Sequence, residues 1–179
     1  NQHRVGSALL WVSNNTTLPQ VNLESLSQSM HALFLPFEHQ PLHPTWSVED
    51  FQVVRYDSSG EFKAHHDGAL RILTILYYIN GVSDTWFPLA DYKGGRLKNR
   101  LEAMQVAQGF LEHGVDQHGV RVDHTVITKP GDAICFYNYF QNGDVDWNAL
   151  HAGLPAESEK WIATHWYHHV PPRRFQEQQ

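Results

Sequence analysis

Three side chains able to bind a metal stand together in "EFKAHHDGALRILTILYYIN" (61–80): His65, His66 and Asp67. In an extended strand, residues i and i+2 face the same way. His65 and Asp67 therefore project together, and His66 projects away. An imidazole and a carboxylate at this spacing take two adjacent positions on one metal. A third ligand from elsewhere completes a facial set of two histidines and one carboxylate. That set leaves positions open and suits non-haem Fe(II), which must also bind a cosubstrate and O2. Far along the chain, His151 lies in "LHAGLP" at a loop-to-strand junction, and Lys160 opens the last strand. By alternation Lys160, Ile162, Thr164 and Trp166 share a face, so Lys160 begins a row that is otherwise apolar or hydroxylic. A lysine on a buried face needs an anion, because an unpaired buried ammonium is very costly. The anion is either a protein carboxylate or a ligand's.

The elements that must position these residues are mostly strands. "FQVVRY" (51–56), "RILTILYYI" (71–79), "HTVIT" (124–128), "AICFYNYF" (133–140) and "WIATHWYHHV" (161–170) are short, β-branched and aromatic. "DSSG" and "KPGD" read as turns. Ahead of them, "VNLESLSQSMHALFL" (21–35) carries Leu23, Leu26, Met30, Leu33 and Phe34 at helical spacing, and Pro36 ends it. The stretch 91–123 interrupts the strands with a polar insertion containing a short helix, "NRLEAMQVAQGFLEHG". It is either a lid or a structural decoration. The expected fold is mainly β with flanking helices, around a double-stranded β-helix (jelly-roll, cupin-like) core of about eight antiparallel strands. We read one domain over 1–179, with helical support in 1–50, the β core in 51–170 and the insertion at about 91–123.

Composition narrows the classes. The chain has 179 residues, a formal charge of −6, thirteen histidines and one cysteine, Cys135. A single cysteine forms no internal disulfide and excludes a multi-thiolate zinc site. The acidic balance, with no basic face, argues against nucleic acid as partner. No apolar run is long enough to span a membrane. The sequence begins at "NQHRVGSALL" without an initiator methionine, as expected of a trimmed or mature fragment.

Taken in order, "VVRYDSSGEFKAHHD", "RILTILYYIN", "DTWFPLAD", "ITKPGDAICFYN" and "LHAGLPAESEKWIATHWYHH" resemble the Fe(II)/2-oxoglutarate-dependent dioxygenases, in their prolyl 4-hydroxylase-like branch. The likeness runs from about Phe51 to His169. It implies that His65, Asp67 and His151 hold Fe(II) and that Lys160 pairs with the distal carboxylate of 2-oxoglutarate. It also implies that Tyr78, Thr74, Tyr56 and Thr164 line the cosubstrate site and that Trp166 packs beside the metal. The implied activity is hydroxylation of a C–H bond with Fe(II), 2-oxoglutarate and O2, with ascorbate as a possible reductant. The implied substrate is a peptidyl residue; the alternatives are a free amino acid or small metabolite, or a catalytically silent β-sandwich binding module.

The sequence departs from the pattern at Phe62, where many of these hydroxylases carry tyrosine, and in the shortened "GVSDTWFP" and "KPGDA" segments. Trp86, Tyr92, Tyr137 and Trp147 are candidates to line a substrate pocket, and Arg71, Arg96 and Arg100 to bind a substrate carboxylate. His165, His168 and His169 are expected at a solvated strand end, and Cys135 in the core.

Overall fold

One strand organises the molecule. β5 (Phe51–His65) is long enough to pair along its length with three others, all antiparallel. Its first half lies beside β11 (Lys160–His169), with Lys160 opposite Tyr56 and Thr164 opposite Gln52. Its last residues lie beside β10 (His151–Gly153), with His151 opposite His65. Its other partner is β1 (Arg4–Val12). The computed structural model describes residues 4–13, 17–18, 21–22, 25–26, 28–29, 46–80, 83–113 and 124–169.

Beyond these, β2 (Thr17–Leu18) and β3 (Val21–Asn22) form a small hairpin. β4 (Trp46–Val48) pairs with β11. β6 (Arg71–Asn80), β7 (Ser83–Trp86), β8 (Thr125–Thr128) and β9 (Ala133–Tyr137) complete a sheet in the order β8-β7-β10-β5-β11-β6-β9. β5 thus belongs to two halves, β8-β7-β10 and β11-β6-β9, and side chains from both line one cavity. This is the expected double-stranded β-helix.

The element boundaries repeat the sequence pattern where apolar and β-branched residues run uninterrupted, as in β6 and β11. They differ where tertiary pairing decides. "DSSG" is a kink inside β5 rather than a turn. Ser59 takes a left-handed φ of 67°, and the neighbouring Gly60 has no room for a side chain: a Cβ there would lie 2.7 Å from the Gly6 carbonyl oxygen. β1, β2, β3, β4, β7 and β10 were not among the expected strands. The last three are only three or four residues long, too short to show a period. β1 falls in the segment assigned to helical support, and its residues are mostly exposed. The helix expected at 21–35 does not begin at Val21, because Val21 and Asn22 pair with Thr17 and Leu18 as β3; Ser25, Leu26, Gln28 and Ser29 are helical, Leu26 packs near Phe51, and most of the rest lies outside the described residues.

The insertion carries α1 (Arg100–His113), and this helix has a packed face. Ala103, Ala107 and Phe110 are buried against Trp86, Leu89, Leu97, Leu150 and Ala152. They recur at helical spacing, so one stripe of α1 covers the outer side of β7 and β10. A second cluster, Leu73, Ile75 and Tyr167 with half-buried Cys135, packs on the opposite side. His165, expected at a solvated strand end, is fully buried instead, its ring stacked on Phe51 at 4.0 Å. It alternates with Lys160 and Thr164, so placing those two in the cavity drives His165 into the other face.

A helix that supplies core should behave as core. Phe110→Ala is expected to cost about 3–5 kcal/mol of stability, whereas Leu101→Ala, at a position 69% exposed, should stay within about 0.5 kcal/mol. Urea unfolding of both variants checks this.

Candidate metal and cosubstrate site

His65 ends β5, His151 begins β10, and their direct pairing sets the two rings 4.3 Å apart. Asp67 follows in the turn. Its Oδ1 is 3.6 Å from His65 Nε2 and its Oδ2 is 4.0 Å from His151 Nε2. One donor atom from each of the three lies within 4.8 Å of the others. Both imidazoles are oriented the same way from behind. Nδ1 of His65 lies 2.8 Å from the Lys63 carbonyl, and Nδ1 of His151 lies 2.9 Å from the Ala149 carbonyl. A carbonyl only accepts, so each Nδ1 is the N–H donor and each Nε2 presents its lone pair to the centre.

Asp67 is held from the other side. The Thr74 hydroxyl donates to its Oδ2 at 2.6 Å, and the buried amide of Asn138 donates to Thr74 at 2.8 Å. His66 points away, as alternation requires. The Gly68 N–H donates to its Nδ1, so its Nε2–H is the donor to the Asn138 carbonyl. The turn itself is a run of left-handed residues, Gly68, Ala69 and Leu70, with φ of 52°, 51° and 62°. Each non-glycine residue there costs about 1–2 kcal/mol. The Arg71 N–H to Gly68 carbonyl bond and the Leu70 N–H to Tyr139 hydroxyl bond hold the run in place.

The electrostatics agree with a ligand set. Burial, reinforced by the charge of His151, lowers His65 to about 3, so its imidazole is neutral at ordinary pH. Burial pushes Asp67 upward, but the two histidines and the Thr74 hydrogen bond outweigh it, and the net direction is down. The site thus offers one carboxylate and two imidazole lone pairs, a donor set that fits Fe(II) with positions left open.

The cosubstrate candidates line the same cavity: Tyr56, Tyr78, Lys160 and Thr164, with Leu76 and Ile162 as apolar walls. Thr74 lies behind Asp67 instead, bonded to it. Lys160 is buried at the start of β11, with its Nζ donating to the Leu154 carbonyl and lying 5.0 Å from the centre of the Tyr56 ring. Burial lowers it to about 8, with Asp84 opposing weakly. The Tyr78 hydroxyl bonds Thr85, and burial raises Tyr78 to about 12. Trp166 is buried opposite Thr74.

Among the candidate substrate residues, Tyr92 and Trp147 line an open cavity of about 550 Å³ together with Phe140 and Arg96, and the Trp147 ring lies 5.2 Å from that of His66. Trp86 belongs to the core under α1, and Tyr137 is exposed on β9. Arg71 is committed to Glu49 through two bonds of 2.6 and 2.8 Å, Arg96 pairs with Asp144, and Arg100 is exposed at the start of α1.

Three residues at the site escaped sequence reasoning. Asn138 left a signal, a lone amide in the apolar and aromatic run "AICFYNYF". Thr85 sits on a strand too short to show one. Arg4 reaches the cavity from β1, and only the β1–β5 pairing puts it there.

The profile of the 2OG-Fe(II) oxygenase superfamily matches residues 51–168. The chain belongs to this superfamily. With the family come its metal and its cosubstrates, Fe(II), 2-oxoglutarate and O2. Among similar proteins, "Probable prolyl 4-hydroxylase 7" of Arabidopsis thaliana is 30% identical over 139 residues, covering 70% of this chain and 40% of the relative. The human "Transmembrane prolyl 4-hydroxylase" is 28% identical over 162 residues, covering 72% of this chain and 31% of the relative. The chain therefore spans less than half the length of either. In fold it is similar to the viral collagen prolyl hydroxylase vCPH of Paramecium Bursaria Chlorella virus-1, solved with 2OG, with a TM-score of 0.58, 21% identity, and coverage of 92% of this chain and 79% of that one. It is also similar to a Trichoplax adhaerens prolyl hydroxylase solved with a hypoxia inducible factor peptide fragment, with a TM-score of 0.53, 16% identity, and coverage of 97% and 67%. None of the described helices is long and apolar enough to cross a membrane.

The Asn138–Thr74–Asp67 chain should tune the oxygenase site. Thr74→Val keeps the shape and removes the donor. Affinity for Mn(II), a redox-inert substitute for Fe(II), is expected to fall about 10–100-fold with the fold intact. Titration followed by electron paramagnetic resonance checks it.

Proposed function

We propose that the protein is an Fe(II)- and 2-oxoglutarate-dependent dioxygenase that hydroxylates a C–H bond of a peptidyl residue, in the manner of a prolyl hydroxylase. The observation that carries the proposal is the convergence of His65, Asp67 and His151 in one cavity whose opposite wall ends in a buried lysine. On this reading the two Nε2 atoms and the carboxylate hold Fe(II), and Lys160 attracts the distal carboxylate of 2-oxoglutarate. Tyr56, Tyr78 and Thr164 border the cosubstrate; Leu76 and Ile162 exclude water from it. Thr74 and Asn138 position Asp67. Bound Fe(II) supplies the chemistry in which 2-oxoglutarate, O2 and R–H become succinate, CO2 and R–OH. The chain's own contribution is to arrange three donors, keep the cavity dry and aim the substrate bond.

A peptide substrate is supported by the prolyl 4-hydroxylase relatives and by the aromatic cavity beside His66. Proline-rich segments dock on aromatic grooves because their extended helix is already ordered. A silent binding module would have no need for buried, pre-oriented ligands, and nothing in the geometry favours it.

Two outcomes test the reading. Anaerobically iron-loaded protein, given 2-oxoglutarate, O2 and a library of proline peptides and free amino acids, is expected to release succinate while one component gains an oxygen, as read by mass spectrometry. Asp67→Ala should abolish both; unchanged turnover in that variant sinks the assignment. The second outcome is a pH profile. Lys160 loses its proton in the folded protein near pH 8, below its ordinary value of 10.5. Between those values the unfolded chain binds more protons, so this group makes the ligand-free fold more stable as pH rises, while attraction for a dicarboxylate falls. The Kd for 2-oxoglutarate should rise about tenfold per pH unit above that point. Lys160→Arg, charged throughout, should abolish that rise, as isothermal titration calorimetry can show.

A further inference from the structure

Arg4 is the strongest unassigned group in the molecule. It comes from β1 and lines the same cavity as Lys160 and the three metal-binding side chains. Its guanidinium lies over the Phe62 ring, 4.3 Å from the centroid, and Phe62 in turn stacks on His65 at 3.7 Å. One Nη donates to the Gln52 side chain, and the Tyr56 hydroxyl is within its charge and hydrogen-bond reach. Its Nε is buried and makes no hydrogen bond among the described residues, and no described carboxylate pairs with it. A half-buried guanidinium whose Nε has no protein partner can receive a carboxylate, which arginine grips by two parallel N–H bonds.

The position relative to Lys160 selects which carboxylate. Tyr56 touches both cations. Lys160 Nζ is 5.0 Å from its ring centre, and Arg4 is at its hydroxyl end. Arg4 is the cation whose charge acts on His65, across the Phe62 ring that lies between them, whereas Lys160 sits against Leu154 and Gly153. A dicarboxylate bound against Tyr56 would have both positive charges within reach, with Arg4 the one felt at His65.

Resting on the dioxygenase reading, we infer that Arg4 is a second cosubstrate-binding residue, which grips the 2-oxoglutarate carboxylate adjacent to the 2-oxo group while Lys160 takes the distal one. It also supplies a donor where Phe62 has none. β1 then completes the cosubstrate site as well as edging the sheet.

The test separates the two ends of the cosubstrate. Binding of 2-oxoglutarate and of 2-oxobutyrate, which keeps the 2-oxo acid but lacks the distal carboxylate, is measured by calorimetry on Mn(II)-loaded protein. Arg4→Met keeps apolar packing on Phe62 and removes the charge. It is expected to weaken both acids at least tenfold, with Mn(II) affinity and thermal midpoint near those of the parent. Arg4→Lys, which keeps the charge and loses the fork, should recover part of the loss for both. Lys160→Met should weaken 2-oxoglutarate at least tenfold and leave 2-oxobutyrate within twofold. Parent-like binding of both acids by Arg4→Met overturns the inference, and so does a loss confined to 2-oxoglutarate. Parent protein that holds Mn(II) but binds neither acid overturns the dioxygenase reading itself, and the inference with it.

Discussion

A carboxylate buried beside two imidazoles is the constraint on which the rest of the structure turns. The Asp67 side chain is only 5% exposed, and a carboxylate removed from water is costly unless hydrogen bonds and opposite charge replace the water. Thr74 supplies one bond and Asn138 holds Thr74, while the two imidazoles turn lone pairs toward the oxygens and bring no opposite charge. A bound dication would complete the compensation. The left-handed run 68–70 is the backbone consequence. Ala69 and Leu70 take unfavourable conformations so that Asp67 turns back toward His65 while β6 starts immediately afterwards with Arg71 on Glu49. Strain of this kind persists only where the surroundings over-determine it. Here the His66, Tyr139 and Gly68 hydrogen bonds do so.

The two-sided sheet makes such a site possible. Because β5 pairs with β11 at one end and β10 at the other, one strand carries Tyr56 toward Lys160 and His65 toward His151. The two halves face each other across a cavity walled by Leu76 and Ile162. The outer surfaces are closed independently: by α1 over β7 and β10, and by the Leu73–Ile75–Tyr167 cluster over β6 and β11. The insertion that interrupts the strands is in this sense structural. Its buried stripe replaces solvent on the back of the strand that presents His151.

Much of the site could be read from residue order. The HxD pair, the distant histidine and the strand-opening lysine are local patterns, and alternation correctly sorted His66 from His65. The same rule applied to β11 could also have buried His165, because every residue between two cavity-facing positions must enter the opposite layer. It was misread because histidine at a chain's polar end usually meets water. Thr74 shows the limit of pattern reasoning in another way. The resemblance puts it at the cosubstrate, but its hydroxyl bonds the Asp67 carboxylate and it does not line the cavity, a distinction of a few ångströms that no spacing encodes.

The sequence by itself determined the strand-rich class, the family, the identity of the three convergent side chains and the faces on which they lie. The class and the faces follow from periodicity and side-chain chemistry, which are local, and the family from the resemblance of the ordered motifs. Tertiary structure alone decided that β1 docks on β5 and carries Arg4 into the cavity, that "DSSG" bends a strand instead of ending it, and that α1 is core. It also decided that Asn138 stands behind the carboxylate. Each of these depends on which distant segments pair and on how closely their backbones approach. Register between strands far apart in the chain is set by the whole set of buried faces at once, so no single stretch of sequence contains it.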